Sequence, residues 1–216
     1  MVDKVPVVSK IVRHALLDRL LHWATAVCVL VLLATAFLPI LGIEFAWVTI
    51  HWVAGILLGF SVGIHVIRSI FWKDFRTMWI GLRDLRDGVR VLKWSLRVEN
   101  RQPPLPAKYS LAQKSIHLFF TVVILTTLIT GVLMLVKIDT PWWERDPYWL
   151  SENTWGVIYI LHDFAALVLV IMVMMHIYFA LRPEKLFFAR SMILGWITSE
   201  EHAAHHDPER WRTESE

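Results

Sequence analysis

The sequence predicts an all-α integral membrane protein in which four transmembrane helices form a bundle. Of its 216 residues, 56% are hydrophobic, and the mean hydropathy is +0.50, which exceeds what a water-soluble domain of this length needs. Four apolar stretches each reach the ~20 residues that cross a bilayer. Because backbone polar groups in lipid must be satisfied within the segment, each stretch is predicted to be a helix. The predicted spans are residues 16–40, 48–72, 112–136 and 154–181.

The positive charges predict the side of the membrane that each connecting segment faces. Four Lys and Arg residues precede His22, eleven lie between Arg68 and Lys114, and five follow the fourth span. The loop after the third span has only two, and the loop between the first two spans has none. Because Lys and Arg accumulate on the cytoplasmic side, both termini, the loop 73–111 and the tail 182–216 are predicted to be cytoplasmic. The net charge of +3 reflects this orientation, so no nucleic-acid partner is predicted.

The central loop is predicted to contain a cytoplasmic interfacial helix between the second and third spans. Apolar side chains recur there at near-helical spacing among Arg and Asp residues, and a proline-rich linker follows at residues 103–106. The apolar positions are Trp79, Leu82, Leu85, Val89, Leu92 and Trp94.

The loop after the third span is rich in tryptophan and charge. Its tryptophans, Trp142, Trp143, Trp149 and Trp155, predict an aromatic belt at the membrane interface. The alternative is a docking surface for an extracytoplasmic partner, because aromatic residues are also enriched at protein interfaces.

Histidines are the main candidate functional residues in the predicted spans. A histidine at membrane depth is costly and points to a functional site, although a single one often only packs. Six of the ten histidines lie in or at the ends of the spans: His22, His51, His65, His117, His162 and His176.

The spacing of these histidines predicts ligand pairs for two haems. His162 and His176 are fourteen residues apart, which places them roughly 21 Å apart on nearly the same helix face. His51 and His65 repeat this spacing in the second span, which crosses the membrane in the same direction as the fourth. His51 therefore matches His162 in depth, whereas His176 has two candidate partners at its own depth, His22 and His65.

The single cysteine, Cys28, limits the kind of haem. The chain cannot attach c-type haem through a CxxCH motif, and it cannot bind an iron–sulfur cluster alone. Two b-type haems held by coordination only are therefore predicted.

Several other residues are candidates near these haems. Gly55 and Gly131 would let a porphyrin approach the helix backbones, although small residues also serve ordinary helix packing. Arg19, together with Arg13 and Arg68, could pair with haem propionates or act only as a cytoplasmic anchor.

Four other histidines and one carboxylate are not predicted to be ligands. His117 has no partner at the fourteen-residue spacing, so it is not predicted to be a ligand. Asp163 is expected to be a buried or rim carboxylate. The histidines at 202, 205 and 206 are expected to lie in a solvated, disordered tail rather than in a metal site.

Several short motifs and single residues follow one another along nearly the whole chain. They are RHALLDRLLHW (Arg13–Trp23), His51, KYSLAQK (Lys108–Lys114), Thr130, Gly131, His162, His176 and HHDPERW (His205–Trp211). In this order and spacing, the chain closely resembles the cytochrome b (gamma) subunit of membrane-bound respiratory formate dehydrogenases. The resemblance covers nearly the whole chain, so residues 1–216 are expected to form a single membrane cytochrome b domain.

The resemblance implies which histidines hold each haem. In the family, the matches to His51 and His162 hold the outer haem, and the matches to His22 and His176 hold the inner one. It therefore favours His22 over His65 as the partner of His176, although this sequence departs from the family in having a histidine at position 65.

The resemblance also implies a quinone pocket on the cytoplasmic side, at the entrance to the third span. Ser110, Ala112 and Gln113 occupy the matching positions. The family typically has asparagine at position 110 and glycine at position 112, so the resemblance does not specify whether menaquinone or ubiquinone is the substrate. Gln113 could donate to a quinone carbonyl or could cap the helix start.

The implied function is that of the electron-transfer and quinone-reducing subunit of an oxidoreductase in a bacterial inner membrane. Its implied partners are an iron–sulfur subunit and a molybdenum- or tungsten-containing subunit that oxidises formate. An alternative is the cytochrome b subunit of a nickel–iron hydrogenase or of a thiosulfate-reductase-like complex. An alternative of another class is a haem-free membrane anchor or transporter-like bundle.

Overall fold

The structure is a computed structural model that describes residues 9–71 and 75–212. Residues 72–74 and 213–216, which belong to the predicted second span, central loop and tail, lie outside the described residues. The described chain is mainly helical. Its four long helices are each long and apolar enough to span a membrane, which confirms the predicted fold class. They are α1 (Leu16–Phe37), α2 (Trp47–Phe71), α5 (Leu111–Met134) and α6 (Glu152–Leu181).

The chain divides into two compact units. The helical unit comprises residues 20–68 and 118–178, and so contains most of the four long helices. The charged unit comprises the described residues among 1–19, 69–117 and 179–216.

The helical unit packs around a small apolar core. Val29, Leu58 and Leu169, from α1, α2 and α6, are buried at its centre. Residues of α5 pack against them, including Val123 and Leu128. Most other large apolar side chains of these helices are exposed, as expected for surfaces that face lipid tails.

The turns of the helical unit have identifiable stop and start signals. A short 3-10 turn, Pro39–Leu41, follows α1, and Gly42 then adopts a left-handed φ of 83°, a conformation that favours glycine. At the start of α6, the Ser151 hydroxyl accepts from the Thr154 amide at 3.3 Å. This satisfies one of the free amides of the first turn.

The central loop contains the predicted amphipathic helix. The short helix α3 (Phe75–Met78) precedes α4 (Leu82–Ser95). Leu82, Leu85, Val89 and Leu92 are all exposed along one side of α4. Such a stripe is expected of a helix that lies in a membrane surface.

The opposite side of α4 is tied to the start of α5. Lys114 donates to Asp84 at 2.9 Å, and both side chains are largely buried. Burial alone would raise the pKa of Asp84, but hydrogen bonds from the Gly81 amide and Lys114 hold it below its ordinary value. At Gly88, an added Cβ would lie only 2.3 Å from Leu111 Cδ2, so a larger residue at this contact of the two helices would require the Leu111 side chain to change rotamer.

The predicted solvated, disordered tail is wrong for the described residues up to 212. After α6, the chain forms α7 (Leu186–Leu194), β2 (Trp196–Thr198) and α8 (Ser199–His205). Strand β2 pairs antiparallel with β1 (Lys10–Val12) near the N-terminus, with Ile11 opposite Ile197. The side chain of Ile197 is fully buried. Contacts between the two ends of the chain therefore also order the mainly polar residues 199–212, through hydrogen bonds such as that of Arg13 with His206.

Gly195 makes the turn from α7 into β2 possible. Its φ is 92°, and its carbonyl accepts from the amides of Arg13 and His14. An added Cβ would lie 3.0 Å from the His14 carbonyl oxygen and 3.1 Å from the Arg19 guanidinium.

Candidate functional site

The helical unit brings four of the predicted histidines together as two pairs. His51 near the start of α2 faces His162 of α6, with ring centres 6.3 Å apart. His22 of α1 faces His176 of α6, with ring centres 6.2 Å apart. The alternative partner of His176, His65, has an exposed side chain.

Both separations match two imidazoles that bind one iron atom from opposite sides. An imidazole nitrogen binds a first-row metal at about 2 Å and lies about 1 Å from its ring centre, so two axial rings have centres about 6 Å apart. The residues present therefore fit two bis-histidine haem irons.

The other nitrogen of each ring in the His51–His162 pair is held by a threonine. The Thr35 hydroxyl lies 2.8 Å from His51 Nδ1, and the Thr130 hydroxyl lies 2.8 Å from His162 Nδ1. Both threonines are buried. With Nδ1 engaged, Nε2 of each ring remains available for a metal, as is usual for ligating histidines. The histidine spacing did not predict these threonines.

The two candidate glycines differ in their surroundings. Gly131 lies against the ring of His162, because an added Cβ would be 3.4 Å from His162 Cε1. At Gly55, an added Cβ would meet only the Leu32 side chain, at 4.0 Å. Gly131 is therefore placed beside a candidate ligand, whereas Gly55 lies in an ordinary helix contact.

Aromatic rings surround the His22–His176 pair. The indole of Trp23 lies edge-on to His22 at 5.4 Å, and the ring of Phe120 lies edge-on to His176 at 5.7 Å. Within residues 9–71 and 75–212, no hydrogen bond joins the ring nitrogens of these two histidines to a hydroxyl or carbonyl. The two pairs therefore have different surroundings.

Three further candidates lie as follows. Asp163 is exposed, as is His117 at the beginning of the third span. Arg19 donates through a terminal nitrogen to the Ile193 carbonyl. The Nε of Arg19 is buried and has no hydrogen-bond partner among the described residues. Its N–H group is therefore available to donate a hydrogen bond to a further acceptor.

The candidate quinone residues form the first turn of α5. The Ser110 amide donates to Gln113 Oε1 at 2.9 Å, and the Gln113 amide donates to the Ser110 hydroxyl at 3.3 Å. This reciprocal cap satisfies amides at the helix start. The Gln113 side-chain nitrogen is not used by the cap, and Ala112 is exposed.

A buried arginine–histidine pair fixes the segment that leads into α5. Arg13 donates to His206 Nε2 at 2.8 Å and to the Lys108 carbonyl at 2.9 Å. His206 Nδ1 lies 2.8 Å from the Ala107 carbonyl, to which it donates. The guanidinium of Arg13 is thus engaged within the charged unit. Sequence reasoning missed this pair, since its partners are 193 residues apart.

Burial shifts the pKa values of this pair downward. Desolvation lowers the pKa of His206 to about 4, and the nearby Arg13 and His202 act in the same direction. Desolvation also lowers the pKa of Arg13 to about 10. At neutral pH, His206 is therefore a neutral acceptor for a charged Arg13.

Comparison with known proteins adds a family and several relatives. The model of the prokaryotic cytochrome b561 family matches residues 13–195. The cytochrome b556(fdo) subunit of formate dehydrogenase from Escherichia coli K12 is 29% identical over 211 residues, covering 94% of this chain and 92% of that protein. The formate dehydrogenase cytochrome b556 subunit of Haemophilus influenzae is 24% identical over 220 residues, covering 95% and 84% respectively.

Proposed function

Because this chain belongs to the prokaryotic cytochrome b561 family, we propose that it is the di-haem cytochrome b subunit of a respiratory formate dehydrogenase. In this role, it passes electrons from an extracytoplasmic iron–sulfur subunit through two haems to membrane quinone. The observation that carries the proposal is the presence of two facing histidine pairs with ring centres 6.3 and 6.2 Å apart. The similarity to formate dehydrogenase cytochrome b subunits over nearly the whole chain supports the choice of complex.

The two pairs would hold one haem b each. His51 and His162 hold the outer haem, and His22 and His176 hold the inner haem, with Gly131 beside the outer ligand. Haem b supplies reversible one-electron chemistry, while the protein supplies the axial ligands and their surroundings. Fourteen helical residues separate the two levels by about 21 Å, which suits a path across a hydrocarbon core of about 30 Å.

The start of α5 would supply the quinone contacts. Gln113 keeps its side-chain nitrogen as a donor for a quinone carbonyl, because the cap uses only its amide oxygen. Ser110 and Ala112 lie just before it in the chain. Either menaquinone or ubiquinone fits this chemistry.

The partners are proposed from the relatives and from the exposed aromatic loop. An iron–sulfur subunit and a molybdenum- or tungsten-containing formate-oxidising subunit would complete the complex. Trp142, Tyr148 and Trp149 are exposed, so the loop after α5 offers an aromatic docking surface. The charge distribution supports an extracytoplasmic position for this loop and a cytoplasmic position for both termini.

The test is a haem count on purified protein. Two haems per chain with a bis-histidine b-type spectrum are expected, and His51→Ala or His162→Ala should each remove the same one. His22→Ala and His176→Ala should remove the other haem, whereas His117→Ala, the matched control, keeps both. His65→Ala decides between the two candidate partners of His176, since it should also keep both.

Two outcomes would contradict the proposal at different levels. A colourless protein after expression with ample haem would leave a haem-free anchor as the explanation. A coloured protein that co-purifies with a nickel–iron subunit, rather than a molybdenum or tungsten subunit, would identify a hydrogenase cytochrome.

A further inference from the structure

The threonines that face the His51–His162 pair also identify which ring nitrogen carries the proton. The Thr35 hydroxyl lies 2.8 Å from the Val31 carbonyl and 3.0 Å from the Leu32 carbonyl of its own helix. Carbonyls only accept, and a hydroxyl has one hydrogen to donate. The Thr35 hydrogen is therefore used within α1, and its oxygen can only accept from His51 Nδ1.

The same arrangement recurs on the other side of the pair. The Thr130 hydroxyl lies 2.6 Å from the Thr126 carbonyl and 3.2 Å from the Thr127 carbonyl, so its hydrogen is used within α5. Its oxygen is left to accept from His162 Nδ1 at 2.8 Å. Two threonines on different helices thus impose one tautomer, with hydrogen on Nδ1 and the lone pair on Nε2.

The threonines are themselves rigid. Their exposed fractions are 3% for Thr35 and 5% for Thr130, and each hydroxyl is anchored to its own helix backbone. Water therefore competes little for these hydrogen bonds, and each ring has a fixed orientation. The His22–His176 pair has no such anchor among the described residues.

A hydrogen bond donated from Nδ1 makes an imidazole a stronger electron donor through Nε2. A stronger axial donor stabilises the oxidised iron more than the reduced iron, so it lowers the reduction potential of the haem that it holds. Only one of the two pairs has this arrangement in the described residues.

We propose that Thr35 and Thr130 are positioning residues that fix the ligand tautomer of the outer haem and set its potential below that of the inner haem. This inference rests on the proposed function. The asymmetry favours electron flow from the outer to the inner level, which is the direction that quinone reduction on the cytoplasmic side requires.

The test is a spectroscopic redox titration of the purified holoprotein that resolves both haems. The outer haem is identified as the one that His51→Ala removes. Thr35→Val and Thr130→Val should each raise its midpoint potential and narrow the gap to the inner haem, whose potential stays the same. Thr35→Ser and Thr130→Ser, which keep the hydroxyl, should restore the native gap.

A matched control is available on the same helix. Thr126 is one turn from Thr130 and its hydroxyl donates to the Val122 carbonyl, so Thr126→Val should leave both potentials unchanged. Loss of the outer haem in the valine variants alone, with retention in the serine variants, would also support the proposal.

Failure of this inference is distinct from failure of the proposed function. If His51→Ala removes one haem but the valine variants keep the native potentials, the threonines have no positioning role. An equal shift in Thr126→Val would also overturn the inference, since it would show a general effect of removing a hydroxyl. If no histidine variant loses a haem, the proposed function itself fails.

Discussion

A histidine that holds a metal uses its two ring nitrogens for different tasks. One binds the metal, and the other needs a hydrogen-bond partner that fixes the ring. In this protein, Thr35 and Thr130 meet the second need for His51 and His162. Their positions follow the chain path, because each threonine lies near the end of one long helix and its histidine in the first half of the next.

Sequence spacing predicted the pairing of His51 with His162, and the family resemblance favoured His22 over His65 as the partner of His176, but the spacing did not predict the threonines. The fourteen-residue repeat fixes depth in the membrane, and depth is enough to align His51 with His162. A threonine has many possible roles in a transmembrane helix, since its hydroxyl commonly bonds to its own backbone. Its contact with a ring depends on helix rotation, which hydropathy does not specify.

At the residue scale, Gly131→Ala is expected to weaken binding of the outer haem. The new methyl group would lie 3.4 Å from His162 Cε1, at the close limit of van der Waals contact, so it would press on the ring that holds the iron. Displacing a fixed ligand in this way typically weakens metal binding by about tenfold or more. Haem titration of the apoprotein, with one site monitored by its spectrum, measures the change.

The control for this prediction is Gly156→Ala. Gly156 lies in α6 six residues before His162, and an added Cβ would meet nothing within 4 Å. Equal haem affinity in both alanine variants would show that the space beside His162 is not needed.

At the scale of secondary structure elements, hydropathy located the four long helices to within two or three residues. The central helix α4 was also evident, because its apolar residues recur at helical spacing. The folded tail was not evident, because its order comes from contacts that are distant in sequence, such as Ile11 with Ile197 and Arg13 with His206. Local polarity alone favours disorder, whereas these contacts bury the side chains of Ile197 and His206.

The element-scale prediction is that mild acid loosens the tail. The pKa of His206 is lowered to about 4 in the folded state, whereas an unfolded histidine has a pKa of about 6.5. The unfolded form therefore binds more protons between these values. It follows that stability is fully present above pH of about 6.5 and is lost as the pH falls toward 4.

Hydrogen–deuterium exchange of residues 196–212, corrected for intrinsic rates, measures this effect. Protection should fall between pH 7 and pH 5 in the native chain. In His206→Asn, the amide can still donate to the Ala107 carbonyl but does not titrate, so protection should lose most of its pH dependence. The comparison variant His205→Asn alters a neighbouring histidine whose pKa burial also lowers, and it should keep the larger part of the native pH dependence because His206 remains. Unchanged pH dependence in His206→Asn would assign the effect to another group.

At the scale of the whole molecule, the distribution of charge and the depth of the histidines together predict how the chain is oriented in the membrane. The segments rich in Lys and Arg alternate along the chain with segments that have few, and the paired histidines lie on three of the four long helices, α1, α2 and α6. By contrast, few residues of the chain indicate which partner subunits it binds. An aromatic loop suits both a membrane interface and a protein contact, so only the similarity to formate dehydrogenase subunits specifies a partner.

The whole-molecule prediction concerns orientation and uses the single cysteine. With Cys28→Ala as the background, new cysteines at Glu44 and Glu144 report on the two short loops, while those at Glu99 and Glu209 report on the central loop and tail. A membrane-impermeant maleimide should label Glu44→Cys and Glu144→Cys in intact cells. It should label Glu99→Cys and Glu209→Cys only after the membrane is permeabilised, because translocating the arginine-rich segments is unfavourable. The reverse pattern would place the His51–His162 pair on the cytoplasmic side, and quinone reduction at the start of α5 would then occur at the opposite face of the membrane.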